Sequence, residues 1–141
     1  YSVISVESVR MINQQSSMMQ FVIINTAAIQ ASLFDGQTIG AIQKQFTNHY
    51  PFLKIDFFKE LELNGIRVVK KLEPHNMLYR IKASLIDMSA ARTVADTKKD
   101  FREATGLLSR VYRKSGEVWI ETSLTDDWSL ERQNSEGRQI G

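Results

Sequence analysis

Two segments of the chain share one pattern of apolar and polar positions. Residues 38–59, TIGAIQKQFTNHYPFLKIDFFK, and residues 93–114, TVADTKKDFREATGLLSRVYRK, both begin with a threonine. Apolar side chains then recur at helical spacing, a short break follows, and apolar and polar residues alternate as in a half-buried strand. The pattern therefore predicts two copies of a helix followed by a strand, which form an internal near-repeat.

Each predicted helix begins with a capping residue. The hydroxyls of Thr38 and Thr93 can accept a hydrogen bond from a backbone N–H group of the first turn. We therefore expect helices over residues 38–50 and 93–105. The core-facing positions are Ile39, Ile42 and Phe46 in the first helix and Val94, Thr97 and Phe101 in the second.

Further strands are predicted around these two units. Residues 20–27, QFVIINTA, and residues 78–86, LYRIKASLI, are rich in residue types that favour strands, and each segment precedes one helix. Residues 114–117, KSGE, predict the turn of a β-hairpin that leads into VWIETS. Residues 60–77 show no pattern that assigns them to an element.

The order strand–helix–strand, found twice, predicts an α+β fold. The simplest arrangement is a ferredoxin-like sheet with helices on one face, followed by a C-terminal hairpin and a short helix. A ubiquitin-like roll is the alternative, because it also pairs a hairpin with a helix. We expect one domain over residues 18–137, with an N-terminal extension at residues 1–17 and a tail at residues 138–141. The native start is expected at Met18 or Met19, because the chain begins with Tyr1 and these methionines precede the first apolar strand. The alternative is that residues 1–6, YSVISV, form a genuine extra strand that leads into a short helix.

The stretch TDDWSLERQN, residues 125–134, has the residue types of a helix start. We expect Asp126 or Asp127 to cap this helix and Trp128 to pack back onto the sheet. The competing hypothesis is a metal-dependent enzyme in which Asp126, Asp127 and Glu131 bind a divalent cation. The spacing of a calcium loop is absent, and two adjacent carboxylates on an extended segment diverge, so the sequence favours capping.

Composition narrows the function classes. The chain has 141 residues, of which 43% are hydrophobic and 24% charged, and this suits one folded domain. It contains no cysteine, which excludes disulfides, thiolate nucleophiles and cysteine-based zinc sites. No apolar run approaches the roughly 18 residues of a membrane span. We therefore expect a cytoplasmic protein that has no membrane partner.

Motifs of common enzymes are missing. The sequence has no glycine-rich phosphate loop, no dinucleotide-binding fingerprint and no G-x-S-x-G nucleophile turn. The two histidines, His49 and His75, are not spaced as a pair of metal ligands. These absences favour a non-enzymatic protein that needs no metal and no cofactor.

The alternation of the predicted strands defines two sheet faces. Leu53, Ile55 and Phe57 are expected to point inward, together with Val111 of the second unit. If helices cover only that side, the other face is open and carries aromatic and basic residues. These candidate binding residues are Lys54, Phe58, Arg110, Tyr112, Lys114 and Trp119.

Three interpretations of the open face remain. Trp, Tyr and Arg are favoured at protein interfaces, so our first hypothesis is an interaction module that binds a protein partner or itself. The same residues could stack unpaired bases and neutralise phosphates, so the second is single-stranded RNA binding. Residues 37–120 carry fifteen Lys/Arg against nine Asp/Glu, which permits a polyanionic partner. The third is a cross-strand pair of Tyr112 and Trp119 that only stabilises the sheet.

Residues 101–137 resemble the C-terminal part of a family of short uncharacterised bacterial proteins. The family pattern there reads approximately FRKSGNVWLET..TD.WTLE.QN..G, and FTNHYPFLKIDFFK at residues 46–59 also resembles the family. The resemblance implies a bacterial cytosolic origin and a start near Met18, and it assigns no catalytic residues. The matching positions are Phe101, Gly106, Leu107, Val111, Arg113, Lys114, Ser115, Gly116, Val118, Trp119, Glu121, Thr122, Thr125, Asp126, Trp128, Leu130, Glu131, Gln133, Asn134 and Gly137.

Overall fold

The computed structural model of the protein describes residues 29–140. The predicted extension at residues 1–17, the start near Met18 and the strand at residues 20–27 lie outside this range. The described chain is a mixed α+β fold with three helices and two sheets. The elements are β1 (Gln30–Leu33), α1 (Ile39–His49), β2 (Leu53–Leu63), β3 (Ile66–Lys71), β4 (Ser84–Asp87), α2 (Val94–Thr105), β5 (Leu108–Ser115), β6 (Val118–Glu121) and α3 (Leu130–Ile140), with a 3-10 turn at Ser123–Thr125.

The two helices predicted from the near-repeat are confirmed. The Thr38 hydroxyl accepts from the Ala41 N–H at 3.2 Å ahead of α1, and the Thr93 hydroxyl accepts from the Asp96 N–H at 3.0 Å ahead of α2. Gly106 ends α2 with a φ of 76°, a left-handed conformation that glycine adopts without strain. The expected core positions are all fully buried: Ile39, Ile42, Phe46, Val94, Thr97 and Phe101.

The four-stranded sheet is curled and has the order β3-β2-β5-β6, with every neighbouring pair antiparallel. The strands ahead of the helices, β1 and β4, pair with each other in a separate two-stranded sheet. The ferredoxin-like arrangement is therefore not confirmed, since it needs those strands inside the larger sheet. The physical reason is that β2 and β5 pair directly over Leu53–Phe58 and Leu108–Arg113, which leaves no place between them for a third strand.

A hairpin lies where the sequence pattern assigned no element. β2 runs to Leu63, and Asn64 and Gly65 then turn the chain with φ values of 53° and 80° before β3 returns. Positive φ at both central residues is typical of the type I′ turn, for which Asn-Gly is the favoured sequence. The expected strand over residues 78–86 is shorter than predicted, because only Ser84–Asp87 pair with β1.

The helices and both sheets share one core. The rings of Phe57 in β2 and Phe101 in α2 meet edge to face with 5.2 Å between their centroids. The buried hydroxyl of Tyr50, at the end of α1, donates to the Met88 carbonyl at 2.5 Å and so connects α1 to the segment after β4. Burial raises the pKa of Tyr50 to about 12.

The last helix also packs against the sheet. Leu130 and Gln133 of α3 are fully buried, and the Gln133 side chain accepts from Arg113 of β5 at 2.7 Å. A Cβ atom placed on Gly137 would lie 3.1 Å from the Arg113 Cγ, so the helix approaches β5 closely there. α3 continues to Ile140, past the domain boundary expected at residue 137.

Candidate interaction face

The strand register places the six candidate residues on one face of the four-stranded sheet. Residues directly opposite each other in an antiparallel sheet project from the same face. β2 pairs with β5 through Lys54–Tyr112, Asp56–Arg110 and Phe58–Leu108, and β5 pairs with β6 through Tyr112–Glu121 and Lys114–Trp119. We define the open face as Lys54, Asp56, Phe58, Leu108, Arg110, Tyr112, Lys114, Trp119 and Glu121.

The opposite face of this sheet is the one that the helices cover. Ile55, Phe57 and Val111, which alternate with residues of the open face, are at most 1% exposed. Phe101 of α2 packs on Phe57, and Gln133 of α3 bonds to Arg113, which also belongs to the covered face. On the open face, by contrast, Trp119 is 37% exposed. The six candidate residues therefore lie on the face opposite Ile55, Phe57 and Val111.

Cations lie over the aromatic rings of the open face. The Lys54 ammonium is 5.3 Å from the centroid of Tyr112 and 5.1 Å from that of Trp119. The Lys114 ammonium is 5.4 Å from the Trp119 centroid, and the Arg110 guanidinium is 4.9 Å from the Phe58 centroid. All four distances fall within the roughly 6 Å range of cation–π attraction. Two ammonium groups thus converge on Trp119.

Tyr112 and Trp119 are not a directly opposed pair. Tyr112 lies opposite Glu121, and Trp119 lies opposite Lys114, so the two rings are diagonal neighbours. Lys54 lies over both rings and connects them. The expected cross-strand aromatic pair is therefore replaced by a cluster of two rings and one ammonium group.

Acidic groups interrupt the positive charge of this face. The Asp56 carboxylate is 3.5 Å from the Lys71 ammonium and also accepts from the Gln43 amide at 3.3 Å. The Glu121 carboxylate accepts from the Ser123 N–H at 3.1 Å and from its hydroxyl at 2.5 Å. The open face therefore carries both signs of charge, although Asp56 is only 9% exposed and Glu121 is the more accessible carboxylate.

A groove of about 530 Å³ lies at the end of the open face where β5 begins. Phe58 and Leu108 form its apolar part, while Arg110 and Glu121 contribute charges of opposite sign. The remaining lining residues are Val69, Lys98, Ser109 and Ser123. The groove extends the open face with the same mixture of apolar and charged groups.

The aspartates do not cap α3, so that prediction is wrong. The cap is Ser129, whose hydroxyl accepts from the Arg132 N–H at 3.0 Å. The Asp126 carboxylate lies 3.7 Å from the Lys98 ammonium of α2, and its backbone carbonyl accepts from the Ala95 N–H at 2.8 Å. The acidic turn therefore contacts the start of α2, a helix that precedes it by about thirty residues of sequence.

Trp128 faces two arginines. The Arg132 guanidinium of α3 lies 3.6 Å from the ring centroid, and the Arg113 guanidinium of β5 lies 5.5 Å from it. Trp128 thus contacts the sheet through Arg113, on the covered face and not on the open one.

The hypothesis of a metal site finds no geometric support in the described residues. Across residues 29–140 no three His, Asp or Glu side chains come together in a way that could hold a metal ion. Asp126 is paired with a lysine, and Asp127 is exposed. The groups suggested as ligands, Asp126, Asp127 and Glu131, therefore do not form a cluster.

Comparison with known proteins adds no relative. No family model matches the chain, and neither does any curated protein or solved structure. The resemblance to short bacterial proteins therefore stays a prediction. Among the described helices, none has the length and apolar character needed to cross a membrane.

Proposed function

We propose that the protein is a non-enzymatic interaction module whose open face binds the surface of another protein chain. The observation that supports this most directly is the exposed Trp119 on a sheet face that the helices leave uncovered. Tryptophan, tyrosine and arginine are the side chains that most often dominate binding energy, and Trp119, Tyr112 and Arg110 lie together here.

The charge pattern of the open face favours a protein over RNA. Phosphate groups need unopposed cations, whereas the Glu121 carboxylate lies among the cations of this face and the buried Asp56 carboxylate is paired with Lys71. Lys54 and Lys114 also lie over the rings that unpaired bases would have to stack on. A protein surface can match alternating charges with its own, and the apolar parts of the rings gain from burial.

The pre-formed geometry of the cluster supports the same proposal. Two ammonium groups lie 5.1 and 5.4 Å from the Trp119 ring centroid, and these contacts restrict the side chain before a partner binds. Ordering a free side chain at an interface costs roughly 0.5–1.5 kcal/mol. Trp119→Ala should therefore weaken partner binding by about 2 kcal/mol or more, the size expected for a central anchor.

Photo-crosslinking from neighbouring residues of β3 tests which face binds. Val69 and Lys70 are both exposed and point to opposite faces, Val69 to the open one. A photoreactive residue at position 69 should give protein adducts in cells that Trp119→Ala removes, while the same residue at position 70 should give none. Equal adducts from both positions would contradict the proposal.

Single-stranded RNA binding is the alternative outcome of the same experiment. Adducts from position 69 that ribonuclease removes and protease does not would assign the face to RNA. RNA binding would also weaken steeply with salt, with a slope of about −0.7 per phosphate contact. We expect only weak binding of single-stranded RNA at low salt, lost near physiological salt.

We also propose that the two strand–helix–strand units are an internal repeat of a bacterial cytosolic protein. The sequence likeness of residues 38–59 and 93–114 supports the repeat. The pairing of β1 with β4 and of β2 with β5 supports it as well, since two units related by an approximate two-fold axis would pair in this way.

A further inference from the structure

The two edges of the four-stranded sheet differ in how they are protected. Proteins commonly shield an edge strand with lysines, a proline or a bulge, because its unpaired backbone groups attract other strands. The edge strand β3 carries three cations, Arg67, Lys70 and Lys71. The other edge strand, β6, has the sequence VWIE and no cation or proline, and its Val118 and Ile120 are 59% and 41% exposed. Within residues 29–140, β6 is therefore a sheet edge with exposed apolar side chains and without a cation or proline.

The hydrogen bonds of β6 show which backbone groups are free for a further strand. The Thr122 N–H donates to the Val111 carbonyl at 3.0 Å, so these two residues are a hydrogen-bonded pair. Such pairs alternate along an antiparallel ladder. The N–H and C=O groups of Ile120 therefore point toward β5, whereas those of Trp119 and Glu121 point away from it.

We propose that β6 pairs antiparallel with β6 of a second copy of this chain, with Trp119 opposite Glu121 of that copy. This register centres the two-fold axis on Ile120, and both outward-pointing residues of each strand then form complete hydrogen-bonded pairs. A register centred on Trp119 would place Glu117 opposite Glu121, and opposed like charges are destabilising. A two-fold axis midway between two residues would place the outward-pointing N–H and C=O groups of one copy opposite residues of the other copy whose own N–H and C=O groups already bond to β5.

Charge complementarity supports a second copy as the occupant. In this register the Glu121 carboxylate of one copy lies beside Trp119 of the other, where Lys54 and Lys114 place two ammonium groups within 5.1 and 5.4 Å of the ring centroid. The reciprocal contact forms at the same time, because the surface is used by both copies. On the other face, Ile120 meets its own counterpart and buries apolar area.

The pairing goes beyond the proposed function, because it uses the edge of the sheet and leaves the open face free to bind. It would join the open faces of two copies into one continuous eight-stranded surface, twice the four strands of one sheet. An extended segment of a different protein could use the same backbone groups. Cross-linking from β6 distinguishes that occupant from a second copy of this chain.

Single-cysteine cross-linking tests the register directly, because the chain has no native cysteine. The axis places the two copies of residue 120 opposite each other as a non-hydrogen-bonded pair, with Cα atoms about 4.5 Å apart. This separation allows a disulfide. Ile120→Cys should give at least tenfold more covalent dimer under mild oxidation than Val118→Cys, whose counterparts lie roughly 13 Å apart along the strand.

The control is matched, since Val118 lies on the same strand and face and is the more exposed of the two. Ile120→Lys should give a monomer in sedimentation, because it opposes two like charges at the axis.

Equal cross-linking of both cysteine variants would overturn the register. A chain that stays monomeric at several hundred micromolar would overturn the self-pairing, while adducts from position 69 would still support the open face as a binding surface. Capture of a different protein by Ile120→Cys alone would replace the second copy with a foreign strand.

Discussion

The first unit, β1-α1-β2-β3, and the second unit, β4-α2-β5-β6, have the same element order, and each is followed by a turn that holds the start of its own helix. The turn after β3 lies at residues 73–77, and the turn after β6 lies at residues 125–129. An isolated backbone bridge joins Thr38 to Met77 in the first unit, and another joins Thr93 to Ser129 in the second. The shared architecture therefore extends beyond the segments whose sequences are alike.

The helix starts are held by the same set of backbone bonds. In the first unit the Ile39 N–H donates to the Asn76 carbonyl at 2.8 Å, and the Gly40 N–H donates to the Pro74 carbonyl at 2.9 Å. The second unit has the equivalent bonds from Val94 to Trp128 at 3.1 Å and from Ala95 to Asp126 at 2.8 Å. The first free N–H groups of each helix, which need partners, are thus satisfied by a distant turn. Carbonyl groups need no particular side chain. Residues 73–77 (EPHNM) and residues 125–129 (TDDWS) can therefore both accept hydrogen bonds from a helix start, although no equivalent position has the same residue.

The units differ at their outer strands. β2 and β3 of the first unit form a long hairpin whose edge carries cations, whereas β6 of the second unit is short and carries Trp119. The second unit is also followed by α3, which has no counterpart after the first unit in the described chain. Symmetric packing forms the core, and five of the six candidate binding residues lie on the equivalent strands β2 and β5, whereas Trp119 lies on β6, where the two units differ.

The largest expected effects come from the equivalent core residues Phe46 and Phe101, both fully buried. Replacing either with alanine should lower the free energy of unfolding by about 3–5 kcal/mol, the usual cost of deleting a buried ring. If the two units share one core, each variant should shift a single transition in urea unfolding followed by circular dichroism. Phe34→Ala is the control, because Phe34 is 50% exposed and its loss should cost much less. Two separate transitions would show that the units fold independently.

Sequence patterns were sufficient for the elements that depend on local chemistry. The threonine caps and the buried positions of α1 and α2 followed from helical spacing, and the covered and open faces followed from the alternation in β2 and β5. The hairpin at Asn64-Gly65 had a clear signal, but that signal was missed. The separate sheet of β1 and β4 had no such signal, since each strand has four residues and its partner is far away in sequence.

The candidate site was predictable to the same extent. All six candidate residues lie on the open face because alternation fixes the direction of a strand side chain. The position of Lys54 over two rings depends on strand register, which no local pattern gives. The role of the Asp126 carbonyl at the start of α2 was missed for a similar reason, because capping rules consider only the helix that follows.

The second largest effect concerns α3, which only the second unit has. A Cβ atom on Gly137 would lie 2.9 Å from the Phe52 Cβ and 3.1 Å from the Phe52 carbonyl oxygen, so the helix would have to move. Gly137→Ala should therefore lower the free energy of unfolding by roughly 1–3 kcal/mol, as overpacking does, although alanine favours helix by about 1 kcal/mol. Chemical denaturation measures this, with Gln139→Ala at an exposed position of the same helix as the control. A stabilised Gly137→Ala variant would show that α3 can retreat from the sheet without cost.

A smaller loss of stability is expected when the cap of α3 is removed, and its size distinguishes Ser129 from the neighbouring aspartates. Ser129→Ala removes the acceptor of the Arg132 N–H bond and should cost about 1 kcal/mol in thermal or urea unfolding. Asp127→Ala should change stability by less than about 0.5 kcal/mol, because Asp127 is exposed. Thr38→Ala and Thr93→Ala should each match Ser129→Ala, since all three hydroxyls perform the same task in equivalent places. A larger loss from Asp127→Ala than from Ser129→Ala would restore the aspartate as the cap.

The smallest expected effect is a pH-dependent change in stability, and it should distinguish the loop ahead of α2 from the loop ahead of α1. Ahead of α1 the neutral Gln37 amide accepts from the Phe34 N–H at 3.2 Å and donates to the Ser32 carbonyl at 2.8 Å. Ahead of α2 the ionisable Asp87 carboxylate accepts from the Ser89 hydroxyl and from its N–H at 2.9 Å. The side-chain bond from Ser89 is the main cause that lowers the pKa of Asp87 below its ordinary value.

A lowered pKa means that the folded state favours the charged carboxylate. The stabilisation from Asp87 is therefore present above the pKa of the unfolded chain, about 3.9 for an aspartate, and is lost as the pH falls through the folded-state value. Ser89→Ala should raise the pKa of Asp87 toward its usual range in an NMR titration of the carboxyl carbon. Its destabilisation should be small at pH 7, because Asp87 is near the surface, and should vanish below the folded-state pKa. Gln37→Ala, by contrast, should cost the same at pH 7 and in acid, since an amide does not titrate. A pKa of Asp87 that is unchanged in Ser89→Ala would show that the Ser89 hydroxyl does not set it.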